Sequence, residues 1–450
     1  MLKTDSRKIT KGDTFLALKG VVTDGHDYIE QAILNGASKV ICERGSYDVE
    51  TLIVPDTRVY LAKYLKDTYK KQLDSFKFIG ITGTNGKTTS AYLIYQLLNK
   101  LGKKTAYIGT IGFYVDDTRR ELNNTTPDLM DLYDMFLDCY DKNVEVIVME
   151  VSSHALELGR VLDLEFDVVA FTNLTQDHLD VHGSFENYLT AKQKLFKMVK
   201  NDGVAIVNID DSYGDKFLFE SNFNVTYGIK PATYQILDYD LKINKTKFTL
   251  KVSNNSYDIT LPIPGKYNMY NFLVALISAV SLGYDIEDVL EKIDLIKTPK
   301  GRFDIINYNS NVIVVDYAHT PDAVLNILKS VLEYREGKVY TIIGCGGDRD
   351  RTKRPIMGDI ATTYSDYVIF TNDNPRCEDE KQIMDDIVCN LDRNNYEIIY
   401  DRKLAIEKGI SLLKEKDILL ILGKGHEDYQ IIGKEKTHFD DKEVVLEIIK

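Results

Sequence analysis

The chain has 450 residues, more than one ordinary core organises, so two to four domains are expected. Its 44% hydrophobic and 28% charged content is a soluble globular balance, and 69 acidic against 56 basic side chains (net −13) disfavours a nucleic-acid partner. No apolar leader run opens the sequence and no stretch of about 18 apolar residues occurs, so a cytoplasmic chain with no membrane span is expected. Cys42, Cys139, Cys345, Cys377 and Cys389 have neither metal nor disulfide spacing, which fits a reducing compartment, with most of them packed in the core.

Residues 1–75 carry short strand and helix signals around Gly20 to His26. A second block, 76–298, opens with the apolar run Phe76, Phe78 and Ile79, then Gly80-Ile81-Thr82-Gly83-Thr84-Asn85-Gly86-Lys87-Thr88-Thr89. A helical pattern follows (Ala91, Leu93, Ile94, Leu97, Leu98), with Gly102 as its stop. Strand, glycine-rich turn and helix start make a phosphate cradle of backbone N–H groups and the positive helix end. Lys87 supplies a point charge and Thr88 a hydroxyl for magnesium. Ile81 stands where the strict Walker spacing has glycine, so Gly80 or Gly83 makes the turn. The alternative is a βα turn that holds nothing.

Val144 to Met149, Val168 to Phe171 and Val204 to Ile209 are short apolar runs of the kind buried in parallel sheets. Glu150 ends the first, well placed for a metal in the manner of a Walker-B acid, although a strand-end acid alone is more commonly solvated. Asn173 to Gly183 packs His178 and His182 beside two aspartates, and a strand-end histidine suits a divalent ion as much as a hydrogen-bonded loop. Ser184 caps the next helix, with Glu186 in its first turn, and there the residues alone read Lys192 as part of a solvated face. Alternation from Tyr234 to Pro262 predicts antiparallel strands on one edge, and Lys297 to Arg302 is the predicted hinge.

The third block, 299–450, predicts a second open α/β sheet with strands at Val312–Val315, Val339–Ile343, Tyr367–Phe370 and Ile418–Leu422. Three strand-end loops bring charge: Gly344 to Asp350, Thr371 to Arg376 and Gly423 to Glu427. Arg349 and Arg376 suit a carboxylate and Glu427 an ammonium group, which together describe a pocket for a zwitterion such as an amino acid.

In this order the segments resemble those of the Mur ligases, which build the peptide stem of bacterial cell-wall precursors. The resemblance runs through Gly83 to Thr89, Met149 to His154, Asn173 to Gly183, Asp316 to Pro321 and Gly344 to Pro355, over nearly the whole chain. It implies three α/β domains: a small N-terminal domain that binds a UDP-MurNAc-dipeptide, a central P-loop-type mostly parallel sheet with helices, and a C-terminal Rossmann-like domain. The activity implied is addition of a third residue to UDP-N-acetylmuramoyl-L-alanyl-D-glutamate, with ATP as substrate and Mg2+ as cofactor. Asp373-Asn374-Pro375-Arg376 is the version associated with meso-2,6-diaminopimelate, and Arg376 suits that substrate's second carboxylate.

By the same resemblance Lys192 is carbamylated and joins His178 at one magnesium, while Thr88 and Glu150 hold another. Gly83 to Thr89, Asn268, Asn271, Arg302 and Asp316 approach the nucleotide. Ser6, Thr125, Thr126, Ser152 and Arg160 hold the UDP-dipeptide, and Arg349, Asp373 to Arg376, Gly423 and Glu427 hold the amino acid. Leu158 and Val21-Val22-Thr23 depart from relatives that are polar there. A monomer is expected. Three alternatives stand beside this: L-lysine or meso-lanthionine as the added amino acid, a folylpolyglutamate- or cyanophycin-type ligase, and a P-loop regulator that makes no bond.

Overall fold

The computed structural model describes residues 1–450 other than Val21, Val22, Gln176 and His178, and of Leu179 and Asp180 only the backbone. Among the described residues the largest sheet has eleven strands. The phosphate-loop strand Lys77–Thr82 sits near its middle, paired in parallel with Phe166–Phe171 on one side and Val146–Glu150 on the other. Its side chains alternate between two cores. Phe78 packs with Phe136, Phe166 and Leu195, while Ile79 and Ile81 pack with Leu93, Ile94, Met269 and Phe272. Burial on both faces explains why these strands read as continuous apolar runs rather than as alternation. Helices Lys87–Lys100 and Lys266–Ser281 cover one face; Leu129–Asp141 and Phe185–Phe196 cover the other.

Strands Tyr234–Lys242, Lys245–Val252 and Asn255–Leu261 extend one edge as the expected antiparallel set. The strands Thr105–Gly109 and Phe223–Gly228 also belong to the sheet, and sequence reading missed both. A four-stranded parallel sheet (Leu2–Lys3, Thr14–Leu16, Lys39–Cys42, Glu50–Ile53) precedes it.

A six-stranded sheet follows. Asn311–Asp316, Ile418–Leu422, Val339–Ile343 and Tyr367–Phe370 run parallel as expected, with Tyr396–Ile398 beyond them. Asp304–Tyr308 joins antiparallel at the opposite edge. The helix Asp441–Ile448 ties this sheet together through its first turn. Asp440 pairs with Lys300, Lys442 Nζ donates to both Asp304 carboxylate oxygens (2.8 and 2.9 Å), and Asp441 takes a two-pronged bond from Arg402 (2.7 and 2.8 Å). Arg402 and Asp441 are both fully buried, and Arg402 also donates to the carbonyls of Leu422 (3.0 Å) and Asn372 (3.3 Å), at the ends of two parallel strands.

Three of the five cysteines are buried, in line with the expectation that most pack in the core, and Cys377 and Cys389 are exposed. Cys377 lies in a strand-end loop and Cys389 caps a helix, outside any apolar stripe.

Asp441→Ala would strand a buried guanidinium, so a loss of about 3–5 kcal/mol is expected. It should appear as a lower urea midpoint, and the double variant Arg402→Leu/Asp441→Leu should recover part of it.

Candidate active site

The turn after Lys77–Thr82 is made by Gly83 (φ +150°) and Gly86 (φ +84°), while Gly80 stays in the strand. A Cβ on Gly83 would lie 1.9 Å from Thr172 Oγ1, so only glycine fits there. The segment after the neighbouring strand clamps the loop. Thr84 N donates to Asn173 O and Asn85 N to Asn173 Oδ1, both at 2.8 Å, while Thr172 Oγ1 donates to Asn85 O (2.6 Å).

Two lysines converge on this loop. Lys87 Nζ donates to the carbonyls of Gly83 (2.9 Å) and Thr84 (2.7 Å), and Lys192 Nζ donates to the same Gly83 oxygen at 2.7 Å. The predicted solvated face for Lys192 is wrong: the residue is 1% exposed and its ammonium lies 4.4 Å from the Tyr188 ring centroid. Tyr188, Leu189, Lys192, Leu195 and Phe196 form one i, i+3, i+4 stripe, which was the available signal. Burial lowers the pKa of both lysines. For Lys192, set well below the ordinary 10.5, the neighbouring Lys87 lowers it further.

Glu150 is fully buried at its strand end and accepts from Thr88 Oγ1 (2.8 Å), Tyr107 OH (2.5 Å), Thr110 N (2.8 Å) and Thr110 Oγ1 (3.2 Å). Tyr107 was not singled out from the sequence. Next to it Thr126 Oγ1 donates to Glu150 O (2.8 Å), Ser152 N donates to Thr126 Oγ1 (3.1 Å) and Arg160 Nη1 donates to Thr126 O (3.0 Å). Thr125 Oγ1 shares a hydrogen bond with Thr110 Oγ1 (3.0 Å). Ser6 lines neither cavity described below; it is buried in the N-terminal layer, where its carbonyl accepts from Asn35 Nδ2. His182 is buried with Nε2 3.0 Å from Ser153 Oγ. His178, Val21 and Val22 lie outside the described residues.

A cavity of about 500 Å3 opens against the loop, lined by Asn85, Gly86, Thr89, Asn268, Asn271, Arg302 and Asp316 among others. Asn271 Nδ2 donates to Asn268 Oδ1 (3.2 Å) and Ser90 Oγ to Asn271 Oδ1 (3.1 Å). Arg302 lies over the Tyr317 ring at 4.6 Å, with its buried Nε unpartnered among the described residues. Burial raises the pKa of Asp316, and the nearby Arg302 opposes that rise.

A second cavity of about 1390 Å3 is lined by Arg349, Asp373, Asn374, Arg376, Gly423 and Glu427 from the third sheet, with His154, Thr175 and Asp177 across from them. Tyr317, His319 and Thr320 line both cavities, so one short loop separates them. Asn374 Nδ2 donates to Glu427 Oε2 (2.8 Å), and Arg376 Nη1 donates to Gly347 O (2.8 Å) from a strained backbone with φ +54°. Burial, then Asp373, raises the pKa of Glu427. Pro375 lines neither cavity. The fully buried Arg354, which sequence reading passed over, braces the rim by donating to Glu378, Asp386 and the Gly346 carbonyl.

Known proteins resemble this chain over its whole length. The Mur ligase family's catalytic domain matches residues 1–69, the Mur ligase middle domain 81–279, and the Mur ligase glutamate ligase domain 301–425. The UDP-N-acetylmuramoyl-L-alanyl-D-glutamate--2,6-diaminopimelate ligase of Clostridium botulinum is 42% identical over 460 residues, covering 100% of this chain and 95% of that protein. The enzyme of the same name from Bacillus cereus is 42% identical over 459 residues, covering 100% and 93%. A solved structure of a UDP-N-acetylmuramoyl-L-alanyl-D-glutamate--2,6-diaminopimelate ligase superposes with a TM-score of 0.75 at 32% identity, covering 100% of this chain and 94% of that one. With three domain models in register and full-length identity of this order, the chain belongs to the Mur ligase family.

Proposed function

We propose that this chain is an ATP-dependent ligase that joins meso-2,6-diaminopimelate to UDP-N-acetylmuramoyl-L-alanyl-D-glutamate in peptidoglycan precursor synthesis. One observation carries the reading: a phosphate loop and an Arg/Glu-lined cavity face each other across the loop Tyr317 to Thr320. The relatives' names supply the substrates that fit the two sides.

ATP enters the smaller cavity, with Asn268, Asn271, Arg302 and Asp316 beside the nucleotide and Lys87 leaving the loop carbonyls for the phosphates. The γ-phosphoryl passes to the D-glutamyl carboxylate and gives an acyl phosphate; the protein's work is positioning and charge compensation. Thr125, Thr126, Ser152 and Arg160 adjoin Glu150 and suit the dipeptide end, and Ser6 the distant uridine end. Arg349 and Arg376 pair carboxylates of diaminopimelate, and Glu427 an ammonium group. The amine then attacks the acyl carbon and phosphate leaves.

The donor set Thr88 Oγ1 and Glu150 Oε2, 2.8 Å apart, fits a hard cation that takes its other oxygens from water and phosphate. Bound there, magnesium would neutralise charge on the transferring phosphoryl group. No group of three acidic, histidine or cysteine side chains suited to a metal occurs among the described residues. Lys192 would add a ligand as its carbamate, alongside His178. Its lowered pKa supports this, because carbon dioxide adds only to the neutral amine: the ammonium gives up one proton, the N–C bond forms and a second proton leaves, so a cation becomes an anion.

Phosphate release should require the UDP-dipeptide and be fastest with diaminopimelate in a panel including L-lysine and meso-lanthionine. Release indifferent to the UDP-dipeptide would overturn the reading. Arg376→Ala should cut kcat/KM for diaminopimelate about 10–100-fold and leave the weak reaction with lysine nearly unchanged.

Lys192→Met should abolish turnover yet raise the stability of the unliganded protein by about 1–3 kcal/mol, because a poorly compensated buried charge is gone. The unfolded chain binds this proton up to the ordinary pKa of 10.5, and the folded chain releases it at lower pH. Wild-type stability therefore rises with pH through that window. The variant's advantage, read by urea unfolding, should shrink as pH approaches 10.5.

A further inference from the structure

The attacking amine of an amino acid is an ammonium ion at neutral pH and must lose a proton before it can form a bond. The group that takes it must lie in the amino-acid cavity and close to the transferred phosphoryl group. Several carboxylates line that cavity, but most are bonded within the third sheet. Glu427 is held by Asn374, Glu378 by Arg354, Asp350 by Thr352, and Asp348 accepts from Cys377 N.

Asp322 is arranged differently. It lies in the first turn of the helix Pro321–Leu332 and reaches across to the tip of the phosphate loop. Its Oδ2 accepts from Asn85 Nδ2 (2.8 Å), from Thr175 Oγ1 (3.2 Å) and from Asn326 Nδ2 (3.1 Å). All three donors fall on Oδ2, and Oδ1 accepts none among the described residues. The residue lines the larger cavity with Asp177, so two acids stand at the loop end, while Arg349 and Arg376 stand with Asp373 and Glu427 on the other side.

We propose that Asp322 is a catalytic residue of the second half-reaction, receiving the ammonium group of the incoming amino acid on Oδ1 and removing its proton. Burial raises the pKa of Asp322 more than the hydrogen bonds from Thr175, Asn326 and Asn85 lower it, and Asp177 adds to the rise, which makes it a better acceptor than an exposed aspartate. The balance is complete without another reactant. The ammonium gives one proton to Asp322, and its nitrogen lone pair forms the C–N bond. The C–O bond to phosphate breaks with its electron pair going to phosphate, which leaves with the second nitrogen proton. Asp322 returns its proton to solvent as product departs. The bond from Asn85 makes the acceptor's position depend on the loop that holds the phosphates, so base and electrophile are aligned by one contact.

This inference rests on the ligase reading, and hydroxylamine separates the two. Hydroxylamine is neutral at neutral pH, attacks acyl phosphates and needs no base. With ATP and the UDP-dipeptide, Asp322→Asn should form hydroxamate within about 3-fold of wild type, which also establishes that the variant folds. Its kcat with diaminopimelate should fall about 10²–10³-fold, with KM changed far less. Asp322→Glu, which keeps a carboxylate, should recover part of that loss. If the Asn variant keeps kcat within about 3-fold, or loses hydroxamate and amide in parallel, Asp322 serves loop geometry rather than proton transfer and the proposal falls. If wild type forms neither hydroxamate nor tripeptide, the ligase reading itself fails.

Discussion

Two ammonium groups share one carbonyl oxygen. Lys87 and Lys192 both donate to Gly83 O, and neither has a carboxylate within bonding distance among the described residues. Burial lowers the pKa of each, and Lys192 is lowered further by the like charge of Lys87. The loop tolerates them because its own backbone is held elsewhere. Thr172 and Asn173 fix its far side, and Gly83 leaves no space for a side chain between loop and clamp. Two buried cations without a paired carboxylate among the described residues make the loop a place suited to anions.

The larger cavity is built on the opposite plan, with buried arginines compensated by neighbouring carboxylates. Arg354 and Arg402 are fully buried, each is met by carboxylates, and each spends remaining donors on strand-end carbonyls. They hold the loops from which Arg349, Arg376 and Glu427 reach the cavity. The left-handed backbone at Arg376 is the local cost of turning its side chain back onto the Gly347 carbonyl at the cavity rim.

Much of this was legible in the residues. The phosphate loop, the parallel strands beside it, the antiparallel edge and the strands Asn311–Asp316 to Ile418–Leu422 follow from short apolar runs with polar ends. Thr105–Gly109 escaped because its three apolar residues are too short a run to stand out between mixed flanks, whereas Phe223–Gly228 alternates Phe223, Val225 and Tyr227 with Asn224 and Thr226, a strand signal that sequence reading overlooked. Lys192 was misread because a helix former with a charged tip is usually solvated, though its place on an apolar stripe argued otherwise. Arg402 with Asp441, and Asp322 with Asn85, are 39 and 237 residues apart, and no local pattern announces such pairs. Their charges became informative only when the fold brought them together.

Three consecutive residues, Asp440, Asp441 and Lys442, fasten Lys300, Arg402 and Asp304. The sheet of the third block is thereby riveted to the segment that leads into it. An exchange of this unit between relatives, whether by recombination or by gene assembly, has to break the chain ahead of Lys300. A junction cut just after Lys300 would join a foreign leader to a helix whose buried Asp440 no longer finds its counter-charge.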